Sequence, residues 1–253
     1  MNKFIVFLLL GLSTTLHAQS NDLSQATVLQ IQDLIALFQS SDKEAIAMKI
    51  DYPLARHYPI PSIENEKEFL VRFDQVFDAD FMAQIAESDL SQWSTVGWRG
   101  TMFDNGALWL TEDGRIRVIN HSLAFEESWR QKLIAQDKKR LHTSVQQFKE
   151  PIAYIISVGK IIRIDELKDS SYRMSYWNIN QNLSEKPEEI IGQGTLFTEG
   201  SMANQYVVFP KNFLGEEVTV YLDDMEEEQP NAVTITYRDQ MGIERVDKGY
   251  MKK

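Results

Sequence analysis

The sequence contains no cysteine. Without thiols there are no disulfide staples, no thiol nucleophile, no thiolate-bound zinc and no iron–sulfur cluster, so stability has to come from packing. Histidine is nearly as scarce. Of the four, His57, His121 and His142 lie far apart and form no H-x-H, H-x-x-x-H or HExxH spacing, so neither a zinc centre nor a metalloprotease is signalled. Positive charge is in deficit: 26 Lys and Arg stand against 37 Asp and Glu, a formal charge of −11. An acidic surplus of that size repels phosphate backbones and anionic lipid surfaces, which argues against a nucleic-acid partner. No run after the first residues is apolar for long enough to span a membrane.

Several catalytic signatures are missing as well. No G-x-S-x-G or P-loop pattern occurs, and Gly192-Gln193-Gly194 lacks the third glycine and the strand-to-helix setting of a dinucleotide loop. Ser40–Lys43 and Ser157–Lys160 match S-x-x-K by letter, without the S-D-N or K-T-G partners that would give the match chemical meaning. The acidic run Asp223 to Glu228 has no D-x-D-x-D-G register for calcium and reads as a solvated loop. Neither a cofactor nor a metal is called for.

The first feature present is a leader. Asn2-Lys3, the apolar run Phe4 to Leu12 and the polar stretch ending Ala18-Gln19-Ser20 have the layout of a secretory signal peptide. Residues 1–20 are expected to be removed, with cleavage after Ser20 or after Ala18. The expected destination is the periplasm or the extracellular space. With 43% hydrophobic residues the remaining chain can bury real cores. Asn182-Leu183-Ser184 is a glycosylation sequon, meaningful only in a host that glycosylates.

Apolar spacing divides the rest into four parts. Val28, Ile31, Ile35 and Phe38 predict a helix over 26–39. A capping box at Ser41-Asp42-Lys43-Glu44 predicts a second, to about Ile50. Three prolines between Tyr52 and Pro61 predict an irregular extended piece. A cap-like Asn65 to Glu68 precedes Phe69, Phe73, Val76 and Phe77, a third helix with an aromatic face, and Phe81 to Ala86 gives a further short turn. Asp74 and Asp78 are expected on one face of that third helix. Two turn signals, Asp104-Asn105-Gly106 and Glu112-Asp113-Gly114, predict a three-stranded meander of Ser94–Phe103, Ala107–Thr111 and Arg115–Asn120. In its last strand Ile116 and Val118 alternate with Arg115 and Arg117. Phe125, Trp129, Leu133, Leu141, Val145 and Phe148 then predict a long connecting helix. Beyond Pro151, eight short strands near 152–158, 161–166, 172–178, 189–197, 204–209, 216–222, 232–238 and 243–249 predict an antiparallel sandwich or barrel. The expected organisation is a signal peptide at 1–20, an α+β domain at 21–122, a connecting helix at 123–150 and a β-rich domain at 151–253.

The order of helices, the proline-interrupted piece and the meander containing Gly97-Trp98-Arg99-Gly100 resemble the layout of the NTF2-like (SnoaL-like) superfamily of α+β cones. The resemblance covers residues 22–122. It implies a bent sheet wrapping the helices, with an apolar pocket at the wide end near Tyr52, His57, Tyr58, Trp98, Arg99 and Trp109. Fold alone does not choose among the enzymes, binding proteins and structural modules that such a scaffold hosts.

The most distinctive stretch is W-S-T-V-G-W-R-G-T-M-F-D-N-G-A-L-W-L, from Trp93 to Leu110. Two readings of it stand side by side. Gly97 and Gly100 let a sheet curve while Trp98, Arg99 and Trp109 line a mouth where the guanidinium holds an anion, or the indoles are core and Arg99 pairs with a structural carboxylate. His57 and Tyr58, amid prolines, join the candidate ligand-binding set of Trp98, Arg99, Trp109, His57 and Tyr58. No catalytic residue is assigned. The expected function is an exported, non-catalytic binding or protein-interaction protein of the cell envelope or extracellular space, its partner a small molecule, a glycan or an envelope protein. One alternative is a small-molecule enzyme with His57 or Asp74 as base and Arg99 or Tyr58 stabilising charge. The other is a structural envelope component.

Overall fold

The computed structural model of the protein describes residues 23–199, 204–222 and 231–252. The leader expected over residues 1–20, with its cleavage points, and the acidic run Asp223 to Glu228 lie outside the described residues.

Ser24 caps α1 (Gln25–Ser40) by accepting from the Thr27 amide at 3.1 Å. Its buried stripe is Ile31, Leu34 and Phe38, while Val28 and Ile35 are only half-buried. The capping box expected at Ser41 does not form. Ser41 ends α1 in left-handed backbone at φ 54°, and Asp42 instead caps α2 (Lys43–Met48), accepting from the Ala45 amide at 2.9 Å. Of the two adjacent acceptors, the carboxylate gains more from the positive end of the helix. Asn65 caps α3 (Glu66–Val76), and Phe69, Phe73, Val76 and Phe77 are all buried, as their spacing predicts. Asp78 caps α4 (Ala79–Ala86), which separates it from Asp74 on α3; Asp74 pairs with Lys43 at the surface, at 2.7 Å.

Four strands follow in chain order, not three: β1 (Trp93–Thr95), β2 (Thr101–Phe103), β3 (Leu108–Leu110) and β4 (Ile116–Ile119). The stretch expected as one strand folds back on itself, pairing Trp93 with Phe103 and Thr95 with Thr101 around a turn at Gly97–Arg99. Gly100 makes this fit. At φ 98°, a Cβ there would lie 2.0 Å from the Leu110 carbonyl oxygen, so a side chain would force the neighbouring strand away. In β4 a register shift opposes Leu110 to Ile116 but Trp109 to Val118, so Ile116 and Ile119 are buried and Val118 turns out. Helices and sheet share one core, threaded by rings running Phe69, Phe73, Phe77, Phe81, Phe103 and Trp93 with centroids 4.9–6.5 Å apart. Between α2 and α3 the proline piece is irregular, as expected, and is pinched where Leu54 and Ile63 exchange backbone hydrogen bonds at 2.9 Å.

The connecting helix stops earlier than expected. α5 (Ala124–Arg140) ends where Leu141 becomes extended, and a single 3-10 turn at Thr143–Val145 leads on. Leu141, Val145 and Phe148 leave the helix because they pack with Ile161 and Trp177 on the strands that follow. The buried face of α5 also differs from the expected apolar one: it is Glu126, Arg130 and Ile134, while Phe125 is exposed.

The last part forms β5 (Glu150–Ser157), β6 (Lys160–Glu166), β7 (Tyr172–Asn178), β8 (Glu189–Glu199), β9 (Asn204–Phe209), β10 (Glu217–Tyr221), β11 (Ala232–Arg238) and β12 (Glu244–Met251). Each strand pairs antiparallel with the next, and β12 returns to β5 with Gly249 facing Ser157, so the expected sandwich-or-barrel is a closed barrel. Inward residues such as Ile155, Ile162, Met174, Val207, Val220 and Ile235 fill its interior. Gly192-Gln193-Gly194 is a bulge in β8, and Gly194 is bare because a Cβ there would meet the Phe209 ring at 2.5 Å.

β6 and β7 are buried on both faces, and their outer face carries charge. Asp165, fully buried, accepts from Arg163 Nε and Arg173 Nη2, each at 2.7 Å. Arg173 also donates to the Val145 and Gln147 carbonyls, and Arg163 reaches Asp137 of α5 at 2.6 Å. Removing one member of such a set leaves buried charge uncompensated. Asp165→Ala should therefore cost about 3–5 kcal/mol in urea denaturation. Arg238→Ala, which breaks an exposed pair with Glu244, should cost less than about 1 kcal/mol. Similar losses for both would show that the buried set contributes nothing special.

Candidate functional site

The turn between β1 and β2 places Trp98 at its tip, where the indole is 61% exposed. Beside it a cleft of about 500 Å3 opens between this turn and the start of α1. Its walls are mainly uncharged hydrogen-bonding side chains: Ser24, Thr27 and Gln30 from the α1 side, and Thr95 and Thr101 from β1 and β2. Among the described residues Glu112 is the only charged one that lines it. Gln30 is held in place by its Nε2 donating to the Glu112 carbonyl at 3.1 Å and by its stem lying against Gly114. The cleft follows from the hairpin: Gly97 at φ 52° and Gly100 at φ 98° let the chain reverse within the short segment that carries the indole.

Arg99 and Trp109 do not line this cleft. Arg99 is half-buried, its amide closing the turn onto the Val96 carbonyl at 3.1 Å. Trp109 sits half-buried on β3 between the buried Leu108 and Leu110, against Gly106. Tyr52, expected near the same mouth, donates its hydroxyl to the Ala47 carbonyl at 3.0 Å and packs edge-on against Phe69.

His57 and Tyr58 lie elsewhere, in a cleft of about 460 Å3 between the proline loop, α5 and the barrel. Arg130 crosses it, donating to the Tyr58 carbonyl at 2.8 Å and to Glu150 at 2.5 Å, and Lys149 pairs with Glu166 at 2.6 Å. Of the expected ligand-binding set, Trp98 thus lines one cleft, His57 and Tyr58 another that shares no lining residue with it, and Arg99 and Trp109 line neither. Sequence reasoning missed Gln30, Arg130 and Glu150. Nothing marked them beforehand, since each reads as an ordinary polar position of its own helix or strand.

Titration behaviour follows from these surroundings. Crowding of the His57 ring pushes its pKa below the usual 6.5, helped by the Arg130 charge and opposed by Glu150, Glu127 and Glu126. Burial raises the Tyr58 hydroxyl to about 12 against the opposing pull of Arg163, with Asp137 and Asp165 adding to the rise, so it stays protonated and able to donate. Asp78 is held low chiefly by the Phe81 amide, with His121 at 3.4 Å adding to the effect. His142 turns its Nδ1 to Ser144 in a local cap. Ser157 donates to the Lys248 carbonyl at 2.8 Å, and Lys160 lies over the Tyr176 ring, so the second S-x-x-K match closes a hairpin. Among the described residues no group of three or more His, Asp or Glu is placed to hold a metal ion. No helix among them is long and apolar enough to cross a membrane.

Compared with protein-family models, with curated proteins and with solved structures, the chain matches none of them.

Because the folded pKa of His57 lies below its unfolded value, the unfolded chain binds the extra proton more readily. The stability from keeping His57 neutral is complete above about pH 6.5 and falls as the pH drops through that value. A His57→Gln variant should lose less stability than the parent between about pH 7 and pH 5. Parallel stability curves over that window would remove His57 as the cause.

Proposed function

We propose that the protein is a non-catalytic binding protein that takes a neutral polar ligand of the saccharide class in the Trp98 cleft. One observation carries this reading: an exposed indole flanks a cleft of about 500 Å3 walled mainly by hydroxyl and amide groups. A flat aromatic face covers the apolar C–H face of a sugar ring, while hydroxyls and amides pair with its oxygens without the desolvation cost of a charge. An anionic ligand fits this cleft poorly, because among the described residues its one charged lining residue is Glu112 and Arg99 is not part of it. The reading includes export to the periplasm or cell exterior, which rests on the leader-like residues 1–20. It also takes residues 22–122 as an NTF2-like cone, supported by α1 to α4 sharing one core with β1 to β4. Intrinsic-fluorescence titration of the full chain with a panel of neutral oligosaccharides tests it. Trp98→Ala should weaken binding roughly thirtyfold or more, with Trp109→Phe unchanged. Equal affinity for the Trp98 variant and the parent would overturn the assignment.

A protein-interaction role has separate support at one end of the barrel. The antiparallel meander sends its β5–β6, β7–β8, β9–β10 and β11–β12 connections to the end opposite Glu150 and Glu166. Those connections carry Val158, Ile179, Phe213, Leu214, Met241 and Ile243, all exposed, with Phe213 at 73% and Met241 at 81%. The loops hold one another: the Ile179 amide donates to the Gly159 carbonyl at 2.9 Å and the Phe213 amide to the Glu189 carboxylate. Apolar side chains gathered on supported loops mark an interaction surface. A photocrosslinking residue at position 213 or 241 should trap the same partner protein in host cells, and one at the exposed Val71 of α3 should not. Unrelated adducts from the two barrel positions would dismiss a common partner.

A further inference from the structure

We propose a second ligand site at the junction of the proline loop, the end of α5 and the barrel, built for a small organic monoanion with a flat apolar ring, in chemical class an aryl carboxylate. A pocket of about 300 Å3 lies there, within the size range of small-molecule sites. Tyr58, Pro59 and Pro61 form one wall, Tyr154 and Leu183 another, and Arg140 and Lys252 stand at the rim. None of these residues lines the Trp98 cleft, so this site stands independently of the saccharide reading.

Charge selects the ligand. Arg140 and Lys252 have no carboxylate partner among the described residues, whereas the acid that lines the pocket, Asp137, is taken by Arg163 at 2.6 Å. Arg163 is 1% exposed, and its Nη2 has no hydrogen-bond partner. Behind it Arg173 shares Asp165 with Arg163. Among the described lining residues two cations, Arg140 and Lys252, thus face a single carboxylate that is already paired, so the rim of this pocket is positive in a chain whose formal charge is −11.

Hydrogen bonding agrees with the charge. Neither the Tyr58 nor the Tyr154 hydroxyl has a partner among the described residues, and burial keeps both protonated, Tyr58 up to about 12. Both are therefore available as donors to a carboxylate. The prolines, the tyrosine faces and Leu183 offer the apolar surface a ring needs, and the rim cations add long-range attraction.

Isothermal titration of the full chain with naphthoate and with its uncharged counterpart naphthamide tests the site. Naphthoate should bind at least roughly tenfold more tightly than naphthamide, with a preference that shrinks as salt is added. The exposed-site double variant Arg140→Gln/Lys252→Gln should abolish the preference while leaving the circular-dichroism spectrum and unfolding midpoint unchanged. Tyr154→Phe should weaken naphthoate more than naphthamide, because the bond to the charged acceptor is the stronger one, and Trp98→Ala should change neither. Equal binding of the two probes, no binding of either, or a preference that survives the double variant would each overturn the proposal. If Trp98→Ala abolished naphthoate binding, the ligand would lie in the Trp98 cleft and this site would be refuted on its own.

Discussion

The row of paired charges along one side of α5, with Glu126 and Arg130 buried and Asp137 half-buried, is the interaction on which the arrangement of the molecule depends. Glu126, Arg130 and Asp137 fall at spacings of four and seven, on the same side of the helix as Ile134. Each holds a different part of the chain. Glu126 grips Arg56 of the proline loop through two bonds of 2.6 and 2.5 Å, and Arg56 also takes the Ile119 and His121 carbonyls. Arg130 joins the same loop, at Tyr58, to Glu150 at the start of the barrel. Asp137 reaches Arg163 on the barrel wall. Ion pairs of this kind return little net stability over an apolar contact, because both partners lose their hydration. They do penalise alternatives heavily, since any slip of the helix leaves a charge buried and unpaired. At this joint they fix register more than they add strength.

That clamp accounts for the surface features nearby. By fixing the Tyr58 carbonyl, Arg130 leaves the tyrosine ring between two concavities, one bordered by His57 and Glu150 and the other by Tyr154 and Leu183. The chemistry of both then follows from which charges are matched. Lys149 and Glu166, and Arg130 and Glu150, cancel in the first. In the second, Asp137 is ion-paired with a buried arginine while the rim cations face solvent. The Trp98 cleft has another origin, a hairpin that reverses tightly enough to carry an indole out of its own sheet.

The barrel shows how one strand set can serve two environments. Its interior is lined largely by aliphatic side chains, and closure removes the sheet edges. Outside β6 and β7, Asp165 accepts from both Arg163 and Arg173, and Arg173 donates to the carbonyls of Val145 and Gln147 beneath the incoming segment. Much of the remaining outer wall faces solvent, including a ring ladder of Phe197, Tyr206 and Tyr221 across β8, β9 and β10.

Local chemistry alone determined a good deal of this protein. Eight barrel strands were legible because short apolar runs were separated by turn residues, and the aromatic face of α3 was legible because four apolar residues recur at helical spacing. Where two local solutions were nearly equal in energy, tertiary structure chose. Asp42 displaced Ser41 as a cap, a glycine pair turned one expected strand into a hairpin, and a register shift in β4 exchanged Val118 for Ile119. Whether the strands formed a sandwich or a barrel depended on β12 meeting β5 across nearly the whole β segment, a contact that no local pattern encodes. The face of α5 was misread for a related reason. Apolar periodicity marks the buried side of a helix only when burial is apolar, and here the partners were arginines and carboxylates distant in sequence. The site residues were the least legible of all: Trp98 and His57 could be singled out by type, but their separation into different clefts was decided by how the proline loop and the β1–β2 turn pack.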